Sequence, residues 1–552
     1  MFLLNHNPQT FSASGKREVF SPLGDKFYVN ENGTFVNKTK DIGIYSNSIS
    51  YGLGVSVSDL NLDGWPDIYV SNDYDEPDYM YLNQKNGTFK EVAKKATNHI
   101  SNFSMGNDIA DFDNDGFVDI LTLDMVSEDN YGMKTSMASM NPEKFNGNVK
   151  AGKHYQYMYN SFQKHSTHID STGVPFFSDV AQITGIANTD WSWAPLLADF
   201  DNDGLKDIFI TNGIKKDFRN KDFFNMMSKY RSENHDALTN EKKIMFLLDE
   251  MPNRPKKNYF YKNNGGLSFT NMSSEWNPNV SELNSNGAAY ADFDNDGDLD
   301  IVVNNVDENA LILKNNSDKL NTNYINLEFK GLLKNTKGIG VKVKVYHDNK
   351  RQYFENYSVR GYQSSVPPKI HVGLGKSTKV DSLLVYWPNN KVQKIILPEI
   401  NKLVTVNFND KNLTQGNLTK NTETIFSLTD ILPELKHKEN EYDDYKEQIL
   451  LPHKMSQFGP AIAIGDINSD GKDDIYLGQS TGNISEIYIQ NDQSKFTKHQ
   501  TFNEDAVFED IDAHFFDFDN DGDLDLYVSS GGNEFEPNSP NYADRLYENK
   551  SG

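Results

Sequence analysis

Acidic side chains recur along this chain at a spacing that suits the binding of a hard cation. The pattern D-x-[DN]-x-D-G-x-x-D occurs six times, and an aliphatic segment follows each copy. Carboxylate or amide oxygens at positions 1, 3 and 5 of a tight loop converge on one point, and a carbonyl at position 7 and a carboxylate at position 9 complete the shell. Glycine at position 6 permits the positive φ of the turn. Calcium tolerates this crowded oxygen geometry better than magnesium does.

We number the six copies loop 1 to loop 6 in chain order and predict a calcium ligand at five positions of each. The ligands are Asp59, Asn61, Asp63, Trp65 and Asp67 in loop 1; Asp111, Asp113, Asp115, Phe117 and Asp119 in loop 2; Asp199, Asp201, Asp203, Leu205 and Asp207 in loop 3; Asp292, Asp294, Asp296, Asp298 and Asp300 in loop 4; Asp466, Asn468, Asp470, Lys472 and Asp474 in loop 5; and Asp517, Asp519, Asp521, Asp523 and Asp525 in loop 6. The alternative is an acidic surface turn without a metal, in which the carboxylates would repel one another strongly.

The residues around these loops predict strands rather than helices. An EF-hand loop begins with the same spacing but needs a glutamate at position 12. Position 12 here is apolar or β-branched, being Val70, Thr122, Ile210, Val303, Leu477 and Val528. An aromatic strand and a glycine turn follow at a fixed offset, as in Met80 to Asn83 before Asn86-Gly87, and Asn-Gly is a strong hairpin signal. Two hairpins per copy predict the four-stranded antiparallel blade of a β-propeller.

The spacing between successive loops supports one blade per copy. The first aspartates lie 52, 88, 93, 174 and 51 residues apart, and the shortest intervals fit a single blade. The extra residues of the second and third intervals fall mainly in 125–175 and 214–257. Within the latter, Asp222 to Tyr230 and Lys242 to Leu248 have the pattern of short amphipathic helices. Such insertions are either decoration or recognition loops on a rigid scaffold.

The 174-residue interval contains motifs of a different kind. They are Gly338-Ile339-Gly340, Arg360-Gly361-Tyr362-Gln363-Ser364, His371 to Gly375 and Trp387-Pro388. With them the chain resembles FG-GAP/VCBS repeat proteins that carry an ASPIC/UnbV domain, a bacterial secreted family related to cartilage acidic protein with integrin-α-like propellers. The alternation in NYINLEF, VKVKVYH, QYFENYSV and SLLVYW independently predicts a compact β-domain here.

The resemblance implies an all-β fold with four parts. These are an FG-GAP/VCBS propeller over 1–320, incomplete at its N-terminus; a small β-sandwich-like ASPIC/UnbV domain over 321–410; a linker over 411–455; and the first repeats of a second, truncated propeller over 456–552. Met1 to Asn5 has the pattern of a strand that follows a calcium loop, and Arg545 to Asn549 begins an aromatic strand. We therefore expect an internal fragment of a longer exported protein. The alternative is one propeller closed from all six repeats, with the β-domain inserted.

Few residues suggest catalysis. His165-x-x-His168 with Asp170, which we place on a loop, suits acid–base or metal chemistry, but such residues are more often solvated. Trp191 and Trp193 could stack on a sugar but more often pack inside a blade, and His371 is expected to be packed or hydrogen-bonded. No nucleophile elbow, P-loop, HExxH or dinucleotide fingerprint occurs. We expect no enzyme; the alternative is a polysaccharide lyase or hydrolase on a calcium-bearing propeller.

Composition narrows the class of protein. The 552 residues carry 54 basic and 79 acidic side chains, for a net charge of −25, which disfavours nucleic-acid and anionic-membrane partners. The lack of cysteine excludes disulfides and thiolate sites, and no 18-residue apolar segment could form a transmembrane helix. About six structural calcium ions would roughly halve the charge and stabilise the fold in place of disulfides.

Calcium also indicates the compartment. Extracellular calcium modules have dissociation constants of about 10⁻⁴–10⁻³ M, so the loops would fill outside the cytosol. We therefore predict a calcium-stabilised, non-enzymatic binding or adhesion protein, extracellular or on the cell surface, that presents propeller loops to a protein or glycan. A structural module of a surface assembly is a further alternative. The identity of the partner, the oligomeric state and the role of the ASPIC/UnbV domain stay open.

Overall fold

A computed structural model of the 552-residue chain describes residues 1–6, 22–74, 76–135, 142–217, 220–233, 240–277, 281–408, 413–416, 436–451, 453–491 and 495–550. Antiparallel β-sheets dominate it, and the predicted all-β class is confirmed. The chain divides into two compact units, Met1–Lys420 and Asn421–Gly552. Of the predicted linker, residues 411–412, 417–435 and 452 lie outside the described residues.

Five repeat sheets, A to E, make up most of the first unit. Their strands and the elements between them are β1 (Phe2–Leu3), β2 (Lys26–Glu31) and β3 (Thr34–Asn37); β4 (Gly52–Ser58), β5 (Asp67–Asn72), β6 (Tyr79–Asn83) and β7 (Phe89–Glu91); α1 (Ala93–Ala96), β8 (Ile100–Ser101), β9 (Asn107–Ala110), β10 (Asp119–Thr122), α2 (Asn130–Thr135), α3 (Pro142–Lys150), β11 (Gln156–Tyr157), β12 (Ser161–Ile169) and β13 (Pro175–Asp179); β14 (Ser192–Ala198), β15 (Asp207–Asn212), α4 (Lys221–Glu233), α5 (Asn240–Glu250), β16 (Tyr259–Asn263), β17 (Phe269–Asn271) and α6 (Ser273–Trp276); and β18 (Ser285–Ala291), β19 (Asp300–Asn305) and β20 (Leu311–Leu313).

Sheets B, C and D have the four antiparallel strands that the repeat predicts. Sheet B is β4-β5-β6-β7, sheet C is β9-β10-β12-β13 and sheet D is β14-β15-β16-β17. Sheets A (β1-β2-β3) and E (β18-β19-β20) have three strands, and β8 pairs in parallel with β11. Helices α4 and α5 confirm the two helices predicted in the second insertion.

Neighbouring repeat sheets pack through an aromatic side chain on the fourth strand. Phe89, Phe177 and Phe269 hold the same register position, each opposite the last residue of the third strand or its equivalent. The ring of Phe89 lies 5.7 Å from that of Phe27 in sheet A, and Phe177 shares a core with Met80 of sheet B. Each of these aromatic residues thus packs against the preceding sheet, where it buries apolar surface.

The β-domain that follows sheet E consists of two facing sheets and a short hairpin. Its strands are β21 (Asn323–Lys330), β22 (Lys342–His347), β23 (Lys350–Glu355), β24 (Val359–Arg360), β25 (Ser364–Ser365), β26 (Lys369–Gly375), β27 (Ser382–Tyr386), β28 (Lys391–Ile396), β29 (Leu403–Asn407) and β30 (Thr414–Gln415). The sheets β26-β21-β29 and β23-β22-β27-β28-β30 share one apolar core. The predicted strands are present, but the segment QYFENYSV is broken into β23 and the start of β24.

The second unit carries two further repeat sheets, F and G. Their strands are β31 (Ile462–Gly465), β32 (Asp474–Leu477), β33 (Ser485–Gln490) and β34 (Phe496–Phe502), then β35 (Asp510–Phe516), β36 (Asp525–Ser530) and β37 (Arg545–Tyr547). Short 3-10 helices lie at Ser317–Leu320, Asp444–Lys446, Met455–Gln457 and Pro540–Tyr542. Among the described residues, no helix is both long and apolar enough to cross a bilayer.

Candidate metal centres

Each acidic loop is the turn of a hairpin between the first and second strands of a repeat sheet. The residue at position 9 begins the second strand and pairs with the last residue of the first strand in all six repeats. The loops are thus held by strands, as predicted, and not by the helices of an EF-hand.

Two residues of each loop adopt a left-handed backbone. The glycines at position 6 have φ between 82° and 98°, which an L side chain rarely adopts. Position 4 is also left-handed, with φ between 53° and 63°, and four of its six residues are asparagine, which tolerates this conformation best after glycine. The glycine was predicted from the sequence and the left-handed position 4 was not, although the recurring asparagine there was a readable signal.

The two left-handed residues turn the backbone amides toward the aspartate at position 1. In every loop the position 6 N–H donates a hydrogen bond of 2.8–3.2 Å to Oδ2 of that aspartate. The second oxygen, Oδ1, accepts the N–H of position 5 in loops 1, 3 and 5 and that of position 4 in loop 6. Asp111 Oδ1 and Asp292 Oδ1 are buried and accept no hydrogen bond. A buried carboxylate oxygen without a donor is costly unless a cation contacts it.

The carboxylates at positions 1, 3 and 5 converge in four of the loops. In loops 2, 3, 4 and 6 one oxygen from each of the three aspartates lies within 4.8 Å of the other two. Loops 1 and 5 have an asparagine amide at position 3 and two carboxylates in place of three. An oxygen-only donor set of this size fits a hard divalent cation such as calcium and does not suit a softer metal.

The carboxylate at position 9 has a role that the sequence did not reveal. Its Oδ2 accepts the N–H of position 2 at 2.9–3.2 Å. Its Oδ1 accepts, at 2.8–2.9 Å, a backbone N–H from the third strand or from the two residues after it; the donors in loops 1 to 6 are Asn83, His165, Asn263, Asn315, Gln490 and Asn549. This aspartate therefore fixes the loop to the third strand, and its ligation of calcium stays a prediction.

In loops 2, 3 and 4 one lysine bridges the carboxylates at positions 3 and 5. Lys164 lies 2.6 Å from Asp113 and 2.7 Å from Asp115, and in loop 3 the Lys262 ammonium pairs with both Asp201 and Asp203. Lys314 makes the same bridge in loop 4, to Asp294 and Asp296. Each lysine immediately precedes the third-strand residue that binds position 9. These lysines, which were not predicted from the sequence, offset part of the repulsion within the loops.

The β-domain packs on the loop side of sheets B to E. Lys342 Nζ lies 2.5 Å from Asp59 Oδ2 in loop 1, and the exposed fractions of the two side chains are 4% and 0%. Glu355 accepts hydrogen bonds from the Ser58 hydroxyl and the Asp59 N–H. The Arg351 guanidinium donates to the backbone carbonyl of Asp115 in loop 2. The β-domain thus covers two neighbouring loops with charged side chains.

Loops 3 and 4 are also covered by the β-domain. His371 uses its two ring nitrogens to contact Asn202 of loop 3, at 2.5 Å, and Asn326, at 2.7 Å. Burial lowers the pKa of His371 to about 4, so the ring is neutral near pH 7. Asn326 in turn donates to Asp292 of loop 4, at 3.4 Å. The expectation that His371 is packed and hydrogen-bonded is confirmed.

The hairpin β24–β25 occupies the space between the first strands of sheets B to E. Strand β24 contacts β4, β9 and β14, and β25 contacts β18. Arg360 donates to Asp108 Oδ1 at 2.7 Å, and the Gly361 N–H donates to the Asn107 carbonyl at 3.0 Å. The motif Arg360-Gly361-Tyr362, in which the resemblance to ASPIC/UnbV domains was found, therefore fixes the β-domain to the repeat sheets.

The remaining candidates from the sequence have structural surroundings. Trp191 is buried in an apolar cluster, and Trp193 packs against Tyr362 with ring centroids 5.0 Å apart, so the expected packing role is confirmed. The placement of His165 on a loop was wrong, because it lies in strand β12, fully buried and stacked on Phe117. Burial lowers its pKa to about 4. Alternation along β12 could have shown this.

Comparison with known families agrees with the motifs. The profile of the FG-GAP-like repeat matches residues 59–122, 245–303 and 466–528, and the profile named ASPIC and UnbV matches residues 331–413. The chain therefore contains FG-GAP-like repeats and an ASPIC/UnbV domain, which confirms the resemblance. No curated protein matches the sequence.

Two solved structures have weak similarity to the chain. One is an Agrocybe aegerita lectin described as specifically recognising non-reducing terminal N-acetylglucosamine, with 14% identity, coverage of 90% of this chain and 94% of the lectin, and a TM-score of 0.21. The other is the V. cholerae biofilm matrix protein Bap1, with 10% identity, coverage of 99% and 87%, and a TM-score of 0.16. Scores this low bear on neither fold nor function.

Proposed function

We propose that this protein is a calcium-stabilised, non-enzymatic binding protein that acts outside the cytosol. The observation that carries the proposal is the convergence of three carboxylates in loops 2, 3, 4 and 6, together with the buried, unpartnered oxygens of Asp111 and Asp292. Calcium would supply the missing partner of these oxygens and reduce the net charge. Sites of this class commonly fill at about 10⁻⁴–10⁻³ M calcium, a concentration found outside cells.

The second insertion offers a surface for a partner. Helices α4 and α5 pack against each other through Tyr230 and Phe246, whose ring centroids lie 4.5 Å apart. Phe224, Met245 and Leu248 remain exposed, at 55%, 54% and 43%. Exposed apolar side chains on these two packed helices support the role of this insertion in binding a protein or glycan.

Calcium binding is tested by equilibrium dialysis with metal analysis and by thermal unfolding in EDTA and in millimolar calcium. We expect several bound calcium ions per chain and a higher melting temperature with calcium. Asp113→Asn should remove one ion, whereas the matched change Asp381→Asn in the β-domain, outside all loops, should remove none. Equal melting in EDTA and calcium would contradict the structural role of the ion.

The binding role is tested by a glycan array, a pull-down of surface proteins and a polysaccharide-degradation screen. We expect retention of a partner without turnover, and a loss of retention when Phe224 and Leu248 are both changed to Ser. New reducing or unsaturated sugar ends would instead favour an enzyme.

A further inference from the structure

Sheet E lacks the fourth strand that completes sheets B, C and D. After β20 the chain enters the 3-10 helix Ser317–Leu320 and continues into the β-domain. Among the described residues, β20 pairs with β19 alone, so its outer edge carries unpaired backbone groups. Ile312, in the middle of β20, is 68% exposed. An open edge beside apolar side chains is a template for another strand.

A cavity of about 410 Å³ lies beside this edge, between sheets D and E. Its apolar wall consists of Phe200, Phe260, Trp276, Leu299, Ile301 and Leu313. Its two charged residues are already paired, Lys314 with Asp294 and Asp296, and Asp201 with Lys262. The cavity is therefore suited to an uncharged, apolar occupant.

The other repeats show what fills the same place. Phe112 and Phe162 of sheet C lie 5.8 Å and 6.2 Å, between ring centroids, from Phe269 on the fourth strand of sheet D. Phe200 and Phe260 are their counterparts in sheet D, at position 2 of the loop and in the third strand. Among the described residues, none supplies the aromatic side chain that a fourth strand of sheet E would place against Phe200 and Phe260. The cavity thus continues the interface between repeat sheets, one aromatic side chain short.

We propose that this groove binds an extended polypeptide strand that pairs with the edge of β20 and packs one aromatic side chain against Phe200 and Phe260, whose ring centroids lie 6.3 Å apart. The strand comes from another protein and has the character of the chain's own fourth strands, with a glycine turn two to four residues before the aromatic residue. Main-chain hydrogen bonds to the edge supply affinity, and the aromatic pocket supplies specificity. The inference goes beyond the proposed function, because it assigns a polypeptide partner to a second surface, separate from helices α4 and α5.

The chain itself provides a probe. A synthetic peptide with the sequence of residues 263–272, NNGGLSFTNM, reproduces the fourth strand of sheet D and contains no tryptophan. Trp276 lines the groove, and all five tryptophans lie in the first unit. This location matters because the second unit has its own cavity of about 490 Å³ beside sheet G. We expect the peptide to shift the tryptophan emission of the full chain saturably, and Trp276→Phe to abolish the shift.

Two substitutions, one in the peptide and one in the protein, distinguish binding in the groove from nonspecific binding. Replacing the phenylalanine of the peptide by alanine leaves the protein intact and should weaken binding at least about tenfold, since a buried aromatic side chain is lost. In the protein, Leu313→Lys places a charge in the groove and should weaken binding similarly, whereas Leu333→Lys, at a residue 97% exposed, should not.

The outcomes are distinct. Equal binding of the two peptides, or no emission shift at millimolar peptide, overturns the proposal. Concentration-dependent association of the chain that Leu313→Lys abolishes would make a second copy the occupant and would overturn the assignment to another protein. All titrations contain saturating calcium, and the calcium-dependent melting shift is measured on the same samples, so failure of this inference is separable from failure of the calcium proposal.

Discussion

The ion pair between Lys342 and Asp59 offers the sharpest test of how the β-domain is fixed to the repeat sheets. Lys342 Nζ lies 2.5 Å from Asp59 Oδ2, with both side chains almost fully buried. Burial raises the pKa of Asp59 to about 6, Lys342 opposes that rise, and Glu355 adds to it. Lys342→Met keeps most of the side-chain volume but leaves a buried carboxylate beside a second acidic residue.

The expected cost follows from this burial. Removing one partner of a buried pair typically destabilises a protein by about 3–5 kcal/mol, because the remaining charge is uncompensated. With an m value of about 3 kcal/mol/M in urea, the unfolding midpoint should fall by about 1 M or more. Because the pKa of Asp59 rises further without Lys342, the loss should shrink at pH 5, where the carboxyl group is protonated.

Tryptophan fluorescence during urea unfolding measures this loss in the first unit alone, since all five tryptophans lie there. The control is Lys330→Met, at an exposed position of the same β-domain. Asp59→Asn completes a double-mutant cycle, and we expect the double variant to regain part of the stability lost by Lys342→Met. A loss below about 1 kcal/mol at pH 7.5, or no coupling between the two changes, would refute the role of this ion pair.

Two further predictions concern pH and close packing. Burial raises the pKa of Asp111 to about 7 and that of Asp59 to about 6. In EDTA, the contribution of these two carboxyl groups to the free energy of unfolding is therefore complete below about pH 4, near their pKa in the unfolded chain, and is lost as pH rises through 6–7. The melting temperature in EDTA should therefore fall by more than about 2 °C from pH 5 to pH 8, and the increase in melting temperature on adding calcium should grow over the same range. Calorimetry that shows the reverse trend would contradict the raised pKa values of these two aspartates. Gly106→Ala should lower the free energy of unfolding in urea by about 1–3 kcal/mol, because the new Cβ would lie 2.4 Å from the Trp193 carbonyl oxygen and 2.9 Å from Gly361. The control is Gly147→Ala in α3, where no atom lies within 4 Å of the new Cβ, and this change should be neutral or stabilising.

The all-β class, the hairpin position of the loops and the helices α4 and α5 were predictable because each depends on local patterns. Alternating apolar residues predict a strand whatever it packs against, and Asn-Gly predicts a turn from its own backbone preferences. The glycine at position 6 was likewise readable, since a left-handed backbone selects glycine directly. The prediction that His165 lies on a loop was wrong, because its polar side chain is buried on a strand between the rings of Phe117 and Phe177 and so interrupts the apolar pattern.

By itself, the spacing of aspartate and glycine determined where six acidic turns form, because those residues lie within nine positions of one another. Only the tertiary structure decided that the ammonium of Lys342 would reach Asp59, 283 residues away, that hairpin β24–β25 would pass between four strands, and that sheet E would keep an open edge. These features depend on how separate sheets pack, and packing brings together residues whose distance along the chain carries no local signal.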